Sequence, residues 1–148
     1  MPKNSNYQIL AELICDLTRN CNIKEEYFAN SFNLSPTEVR FLKLFAFQKA
    51  LSIKELKEKL ALSSGRITHI LQSLEDKKLL IRYPDEKDKR NIMVKLLPKA
   101  FPLIDNLLDN YDRLHRDILK NVKSSDIENI YTSLQILVDV FKKWVEEE

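Results

Sequence analysis

Asp85-Glu86-Lys87-Asp88-Lys89-Arg90 sets three acids and three bases side by side. The chemistry on offer is anion recognition. Arginine carries a planar fork of donors that fits phosphate or a guanine edge, and lysine carries a point charge. Asp88, two residues before Arg90, can hold that fork in place, while Lys87 and Lys89 add attraction. A charge run alone is usually a solvated surface, so its neighbours decide its meaning. Upstream lies a second polar set, Ser63, Ser64, Gly65, Arg66, Thr68, His69, Gln72 and Ser73. Arg66 can donate a bidentate pair to guanine, Gln72 can pair with adenine, and Thr68 can touch a thymine methyl. Gly65, the sole glycine of the chain, lets a backbone approach a phosphate closely.

Other chemistries find no support. There is no Gly-rich phosphate loop, no Gly-x-Ser-x-Gly and no His-Glu-x-x-His. Asp85 and Asp88 form a carboxylate pair only on a charged tip with lysine between them, not in a cleft. His69 and His115 have no zinc-like spacing. Cys15 and Cys21 fall in no metal or disulfide framework; on one continuous helix they lie about 9 Å apart along the axis, too far to bridge. The expectation is a protein without catalytic site, metal or cofactor.

At 148 residues, 44% hydrophobic and 31% charged, the chain reads as one globular domain. A single glycine, against a usual share of about 7%, implies helices joined by short loops with few left-handed turns. No run of 18 apolar residues occurs, so no membrane helix is expected. The first twenty residues lack a signal peptide's apolar core, so a cytoplasmic location is expected. The net charge of +2 is uneven: residues 1–51 carry +1, residues 52–99 carry +5, and residues 100–148 carry −4. A basic middle third is the footprint of a local anion-binding surface.

The elements that must position these residues follow from periodicity. Ile9, Leu10, Leu13, Ile14 and Leu17 predict a helix from about Tyr7 to Asn30. Ser35, Pro36 and Glu38 open a second that ends near Lys49, with Val39, Leu42, Phe45 and Ala46 inward. Ser52 with Glu55 opens a third that buries Ile53, Leu56 and Leu60. Ser63 caps a fourth, with Ile67, Ile70, Leu71 and Leu74 inward at i, i+3, i+4, i+7. The link between the third and fourth helices is the tight "ALS", which suits a helix-turn-helix. The period then switches to two: Ile92, Val94 and Leu96 alternate with polar neighbours, and Leu79–Tyr83 is the partner strand. The six charged residues become a mobile, projecting hairpin tip. Pro98 begins a long helix to about Val122, and Ser125 with Glu128 caps a last one carrying Phe141 and Trp144. The fold class expected is mainly α, a winged helix-turn-helix with a small β-hairpin wing between N- and C-terminal helices. The lobe spans residues 35–99 of a single domain, with residues 1–34 and 100–148 flanking it.

The run "LSIKELKEKLALSSGRITHILQSLEDKKLLIRYPDEKDKRNIMVKLLPKA" resembles the MarR family of multiple-antibiotic-resistance regulators. Asp85 to Arg90 is similar to that family's wing motif, Asp-x-Arg-Asp-x-Arg, with Lys87 for the first arginine. Three departures stand out: Lys78 occupies the position of the usual glycine before the first wing strand, and His69 and Ser73 stand where many relatives carry arginine or lysine.

The resemblance implies a homodimeric regulator, a repressor, that binds a pseudo-palindrome in double-stranded DNA through one winged helix per subunit. The two chain ends then form the dimer contact. It places Arg90 in the minor groove with Asp88 orienting it, and the recognition-helix contacts at Ser64, Arg66, Thr68 and His69. It also implies a small aromatic or phenolic effector between the dimer helices and the lobe, which Phe28, Phe32, Phe41, Phe45 and Tyr111 can line. Oxidant-sensing members carry a cysteine in the first helix near the position of Ala11, ahead of Cys15 and Cys21. The alternative to a DNA-binding regulator is a protein-interaction adaptor that keeps the winged fold without binding DNA.

Overall fold

The computed structural model describes residues 5–148. Its elements run α1 (Asn6–Asn30), α2 (Pro36–Lys43), β1 (Ala50–Ser52), α3 (Ile53–Leu60), α4 (Ser64–Asp76), β2 (Leu80–Pro84), β3 (Ile92–Leu96), α5 (Ala100–Ile118) and α6 (Ser124–Glu147). The chain divides into two compact units, Met1–Tyr111 and Asp112–Glu148. Among the described residues no helix is long and apolar enough to cross a membrane.

Serine caps start α1, α2, α3 and α4. Ser35 Oγ accepts from the Glu38 N–H at 3.1 Å while the Glu38 carboxylate accepts from the Ser35 N–H at 3.0 Å, a complete capping box. Ser5 and Gln8 form another at the start of α1, a pair the periodicity reading did not single out. Ser52 caps α3 by accepting from the Glu55 N–H at 3.0 Å. Here the box is only half made: the Glu55 side chain meets the Ser52 hydroxyl instead of its N–H. Ser52 is also the last residue of β1, so strand and helix adjoin with nothing between.

The sheet has three strands, in order β1-β3-β2, all antiparallel. The sequence suggested two. β1 was invisible because three residues are too few to show alternation, yet it sets Leu51 opposite Val94, both fully buried. The second helix also ends earlier than expected: α2 stops at Lys43 and a 3-10 turn, Leu44–Ala46, leads toward β1 while burying Phe45. The core of this unit holds Val39, Phe41, Leu42, Leu56, Ile67, Leu71, Leu74, Leu80 and Leu107. All four inward positions expected on α4 are buried.

In the second unit α6 begins at Ser124, not at a Ser125 cap. Lys123 is the N-cap, without a side-chain bond, and its carbonyl accepts from the Asp126 and Ile127 N–H groups. Asp126 lies in the first turn, where a carboxylate complements the helix dipole's positive end. α5 stops at Ile118, short of the expected Val122.

Left-handed residues are few among the described ones, as scarce glycine implies, but each of them bears a side chain. Asn33, Ala61 and Lys78 adopt φ of 56°, 51° and 60°. Ala61 ends α3 in this conformation and gives the helix-turn-helix its tight link. Lys78 does the same between α4 and β2. Left-handed backbone costs a side-chain-bearing residue about 1–2 kcal/mol, and glycine gives back part of that gain as chain entropy. Lys78→Gly is therefore expected to stabilise the fold by about 0.5–1 kcal/mol, read as a rise in thermal midpoint of about 2–4 °C per kcal/mol. A lower midpoint would show that the exposed Lys78 side chain contributes more than its backbone costs.

Candidate nucleic-acid interface

α4 buries its apolar stripe and turns the opposite face to solvent. Ser63, Ser64, Gly65, Arg66, Thr68, His69 and Gln72 are all exposed, as the sequence suggested. Their side chains are not equally available. Ser63 Oγ is engaged with the Arg66 N–H at 3.3 Å as the N-cap. Ser64 Oγ accepts from Lys57 Nζ at 2.6 Å, across the helix-turn-helix. The Thr68 hydroxyl donates to the Ser64 carbonyl at 2.9 Å, leaving its methyl as the outward group. Gln72 donates to Asp76 at 2.9 Å and accepts from Arg82 at 3.3 Å, so an adenine contact requires it to release both. Arg66 and His69 complete the exposed set on this face.

Ser73 does not belong to that face. It is half-buried and donates to Glu38 Oε2 at 3.0 Å. Glu38, buried on α2, also accepts from Lys77 Nζ at 3.1 and 3.3 Å, and Lys77 reaches the Asn33 carbonyl at 3.2 Å. Burial pushes the Glu38 carboxyl up, but the Ser35, Lys77 and Ser73 bonds outweigh it and hold it below the ordinary range. The carboxylate thus ties the start of α2 to the last turn of α4.

Arg82 on β2 makes a second tie to α4 that periodicity did not reveal. Its Nε and Nη2 donate to the two Glu75 oxygens at 2.8 and 2.9 Å. This bidentate pair lowers the Glu75 pKa and raises that of Arg82. It locks the first wing strand to the helix that carries Arg66.

The wing tip spans the residues between Pro84 and Ile92. Its own aspartates organise it. The Asp85 N–H donates to the Asn91 carbonyl at 2.9 Å, and Asp85 Oδ1 accepts from the Lys87 N–H at 3.3 Å. Asp88 Oδ1 accepts from both the N–H and the Nε of Arg90, at 3.1 and 3.3 Å. Aspartate bonding to backbone two residues on is a turn-forming device. Arg90 is 92% exposed and still aimed by Asp88. Lys87 and Lys89 are exposed beside it.

The aromatic residues lie apart from this surface. Phe28, Phe41 and Phe45 are buried. Phe28 packs on Phe32 at 5.2 Å and on Tyr111 at 5.1 Å between centroids, and Phe41 on Phe45 at 5.6 Å. The Tyr111 hydroxyl donates to Glu25 at 2.6 Å, and Lys43 Nζ sits 3.7 Å above its ring. Burial and Glu25 push the Tyr111 hydroxyl far up, and burial lowers the Lys43 ammonium. Cys15 and Cys21 are exposed free thiols on α1, and among the described residues no group of His, Cys, Asp and Glu could hold a metal.

Gly65 is helical, and a Cβ built there would meet nothing within 4 Å. The fold does not require it. Gly65→Ala is expected to raise stability by up to about 1 kcal/mol while weakening binding to a duplex seated against the backbone. Calorimetry and a binding titration separate the two, and unchanged affinity would remove Gly65 from the interface.

Comparison with known proteins agrees with this arrangement. A family model described as MarR family matches residues 34–92, from just before α2 to the start of β3. The regulator SarZ of Staphylococcus aureus, an HTH-type transcriptional regulator, is 33% identical over 111 residues, covering 75% of this chain and 74% of SarZ. SarZ of Staphylococcus epidermidis is 28% identical over 121 residues, covering 81% and 80%. The crystal structure of Streptococcus pneumoniae FabT in complex with DNA shares the fold at a TM-score of 0.81 and 18% identity, covering 93% of this chain and 99% of FabT. With the helix-turn-helix, the aspartate-braced wing and a relative matched at this identity along three-quarters of both chains, the protein belongs to the MarR family.

Proposed function

We propose that the chain is a DNA-binding transcriptional regulator, acting as a repressor and as a homodimer on a pseudo-palindromic operator. The observation that carries this reading is the pairing of an exposed polar α4 face with a wing arginine, Arg90, that is exposed yet held by Asp88. The recognition helix enters the major groove, where Arg66, the Thr68 methyl and His69 meet base edges. Arg90 enters the adjacent minor groove, whose negative potential favours arginine. Ser63, Ser64, Gly65, Lys87 and Lys89 lie against phosphates, and Gln72 joins if Arg82 releases it. Residues 35–99 are the DNA-binding lobe, and the site calls for no cofactor and no catalytic step. The location that suits such a regulator is the cytoplasm.

Two separate features support a homodimer built by residues 1–34 and 100–148. On α1, Leu10, Leu13 and Leu17 are 43–59% exposed. On α6 no residue is buried, and Phe141, Trp144 and Val145 are 49–63% exposed. Apolar faces of this kind mark interaction surfaces. A two-fold dimer spaces its half-sites by about 34–36 Å, one helical turn. A small aromatic or phenolic effector fits best beside Phe28, Phe32, Phe41, Phe45 and Tyr111, where Lys43 offers a half-buried cation to an acidic ligand.

A gel shift with the intergenic duplex upstream of the chain's own gene, in excess non-specific competitor, tests the reading. The expected result is one retarded species with the mass of a dimer on DNA. A dimer that retards no duplex would favour the adaptor.

A further inference from the structure

α4 and the wing tip are separate reading elements, and the surface between them has a chemistry of its own. A cleft of about 470 Å³ opens between α3 and the wing, and Lys57 joins it to the start of α4 through Ser64. Lys54, Lys57 and Glu58 line it from α3, Arg90 from the wing, and Ile53 and Ile92 give it an apolar lining. Lys54 and Lys57 are three residues apart on one helix, so they share a face. The Lys57 ammonium is fixed at the first turn of α4 by its 2.6 Å bond to Ser64 Oγ. Among the described residues neither lysine is ion-paired. Two lysines without an ion-pair partner and the Asp88-paired Arg90 therefore line a concave strip with one carboxylate, Glu58.

A duplex that takes α4 in its major groove and Arg90 in its minor groove must carry one strand across the ground between them. We infer that Lys54 and Lys57 form a phosphate seat for that strand, with Ser64 positioning Lys57. This inference rests on the DNA-binding function proposed above. Contacts of this class fix register without reading sequence, so the seat sets the spacing at which α4 and the wing engage. The lining of Ile53 and Ile92 suits the sugars beside the phosphates.

The test uses the full chain and two duplexes of equal length, the upstream intergenic sequence and its scrambled version, titrated between about 50 and 200 mM salt. Each seated phosphate contributes roughly 0.9 to the slope of log affinity against log salt. Lys54→Gln/Lys57→Gln removes two such contacts from each subunit of the dimer and is expected to make that slope shallower by about 3.6. Both duplexes should lose affinity alike, so the preference between them stays. Lys54→Arg/Lys57→Arg should keep the wild-type slope, and Lys59→Gln, a charge lost from the same helix outside the cleft, should leave it unchanged. A steep wild-type slope that survives the double glutamine change overturns the seat and leaves DNA binding standing. So does a Lys59→Gln effect as large as that of Lys57→Gln alone. A flat wild-type response overturns both the seat and the function beneath it.

Discussion

Arg90→Ala is expected to weaken operator binding by about 1–3 kcal/mol, roughly five- to 150-fold, while the dimer and its melting temperature stay unchanged. Arg90 is 92% exposed and braces nothing in the free protein. Its contact with Asp88 is an exposed pair, which contributes little to stability, so the loss falls on the complex. Asp88 gives a second reading. Asp88→Asn keeps an acceptor for the Arg90 N–H and removes the charge that aims the guanidinium. A smaller loss is expected there, larger for the operator than for scrambled DNA. Fluorescence anisotropy on both duplexes measures these differences, and an unchanged affinity for Arg90→Ala would remove the wing from the interface.

Glu38→Ala should have the largest effect on the fold, a loss of about 2–4 kcal/mol. The change strips the Ser35 N–H, the Ser73 hydroxyl and the Lys77 ammonium of one shared acceptor. Lys77 is 38% exposed, so water takes over part of its charge, and the cost stays below that of breaking a fully buried pair. Glu38→Gln keeps an acceptor and should cost less. The pH dependence has a definite sign. The native carboxyl lies below its ordinary value, so its stabilisation is complete above the unfolded value of about 4.3. That stabilisation fades as pH falls from there through the depressed native value. Urea unfolding at pH 7, 5 and 3 should show wild type losing more stability on acidification than Glu38→Gln; parallel losses would mean that the carboxylate is not held down in the fold.

Local signals were legible in the sequence, and contacts across elements were not. Ser35, Ser52 and Ser63 announced three helix starts, and the spacing of Ile67, Ile70, Leu71 and Leu74 fixed which face of α4 turns outward. Asp88 beside Arg90 was readable because the partners are two residues apart. Glu38 and Ser73 are 35 residues apart, so nothing in local periodicity removes Ser73 from the outer face. Arg82 passed as one residue of a β-prone stretch, although its pairing with Glu75 joins wing to helix. β1 was too short for a pattern, and one glycine count could not reveal that Asn33, Ala61 and Lys78 take left-handed turns.

The most direct test of α4 and the wing as a DNA-reading surface is the affinity of the wild-type dimer for its upstream duplex across a salt series. Contacts from both α4 faces and both wings release condensed counterions, so affinity should fall by a factor of about a thousand or more between about 50 and 200 mM salt. A flat response over that range would contradict it and leave the winged fold to a protein partner.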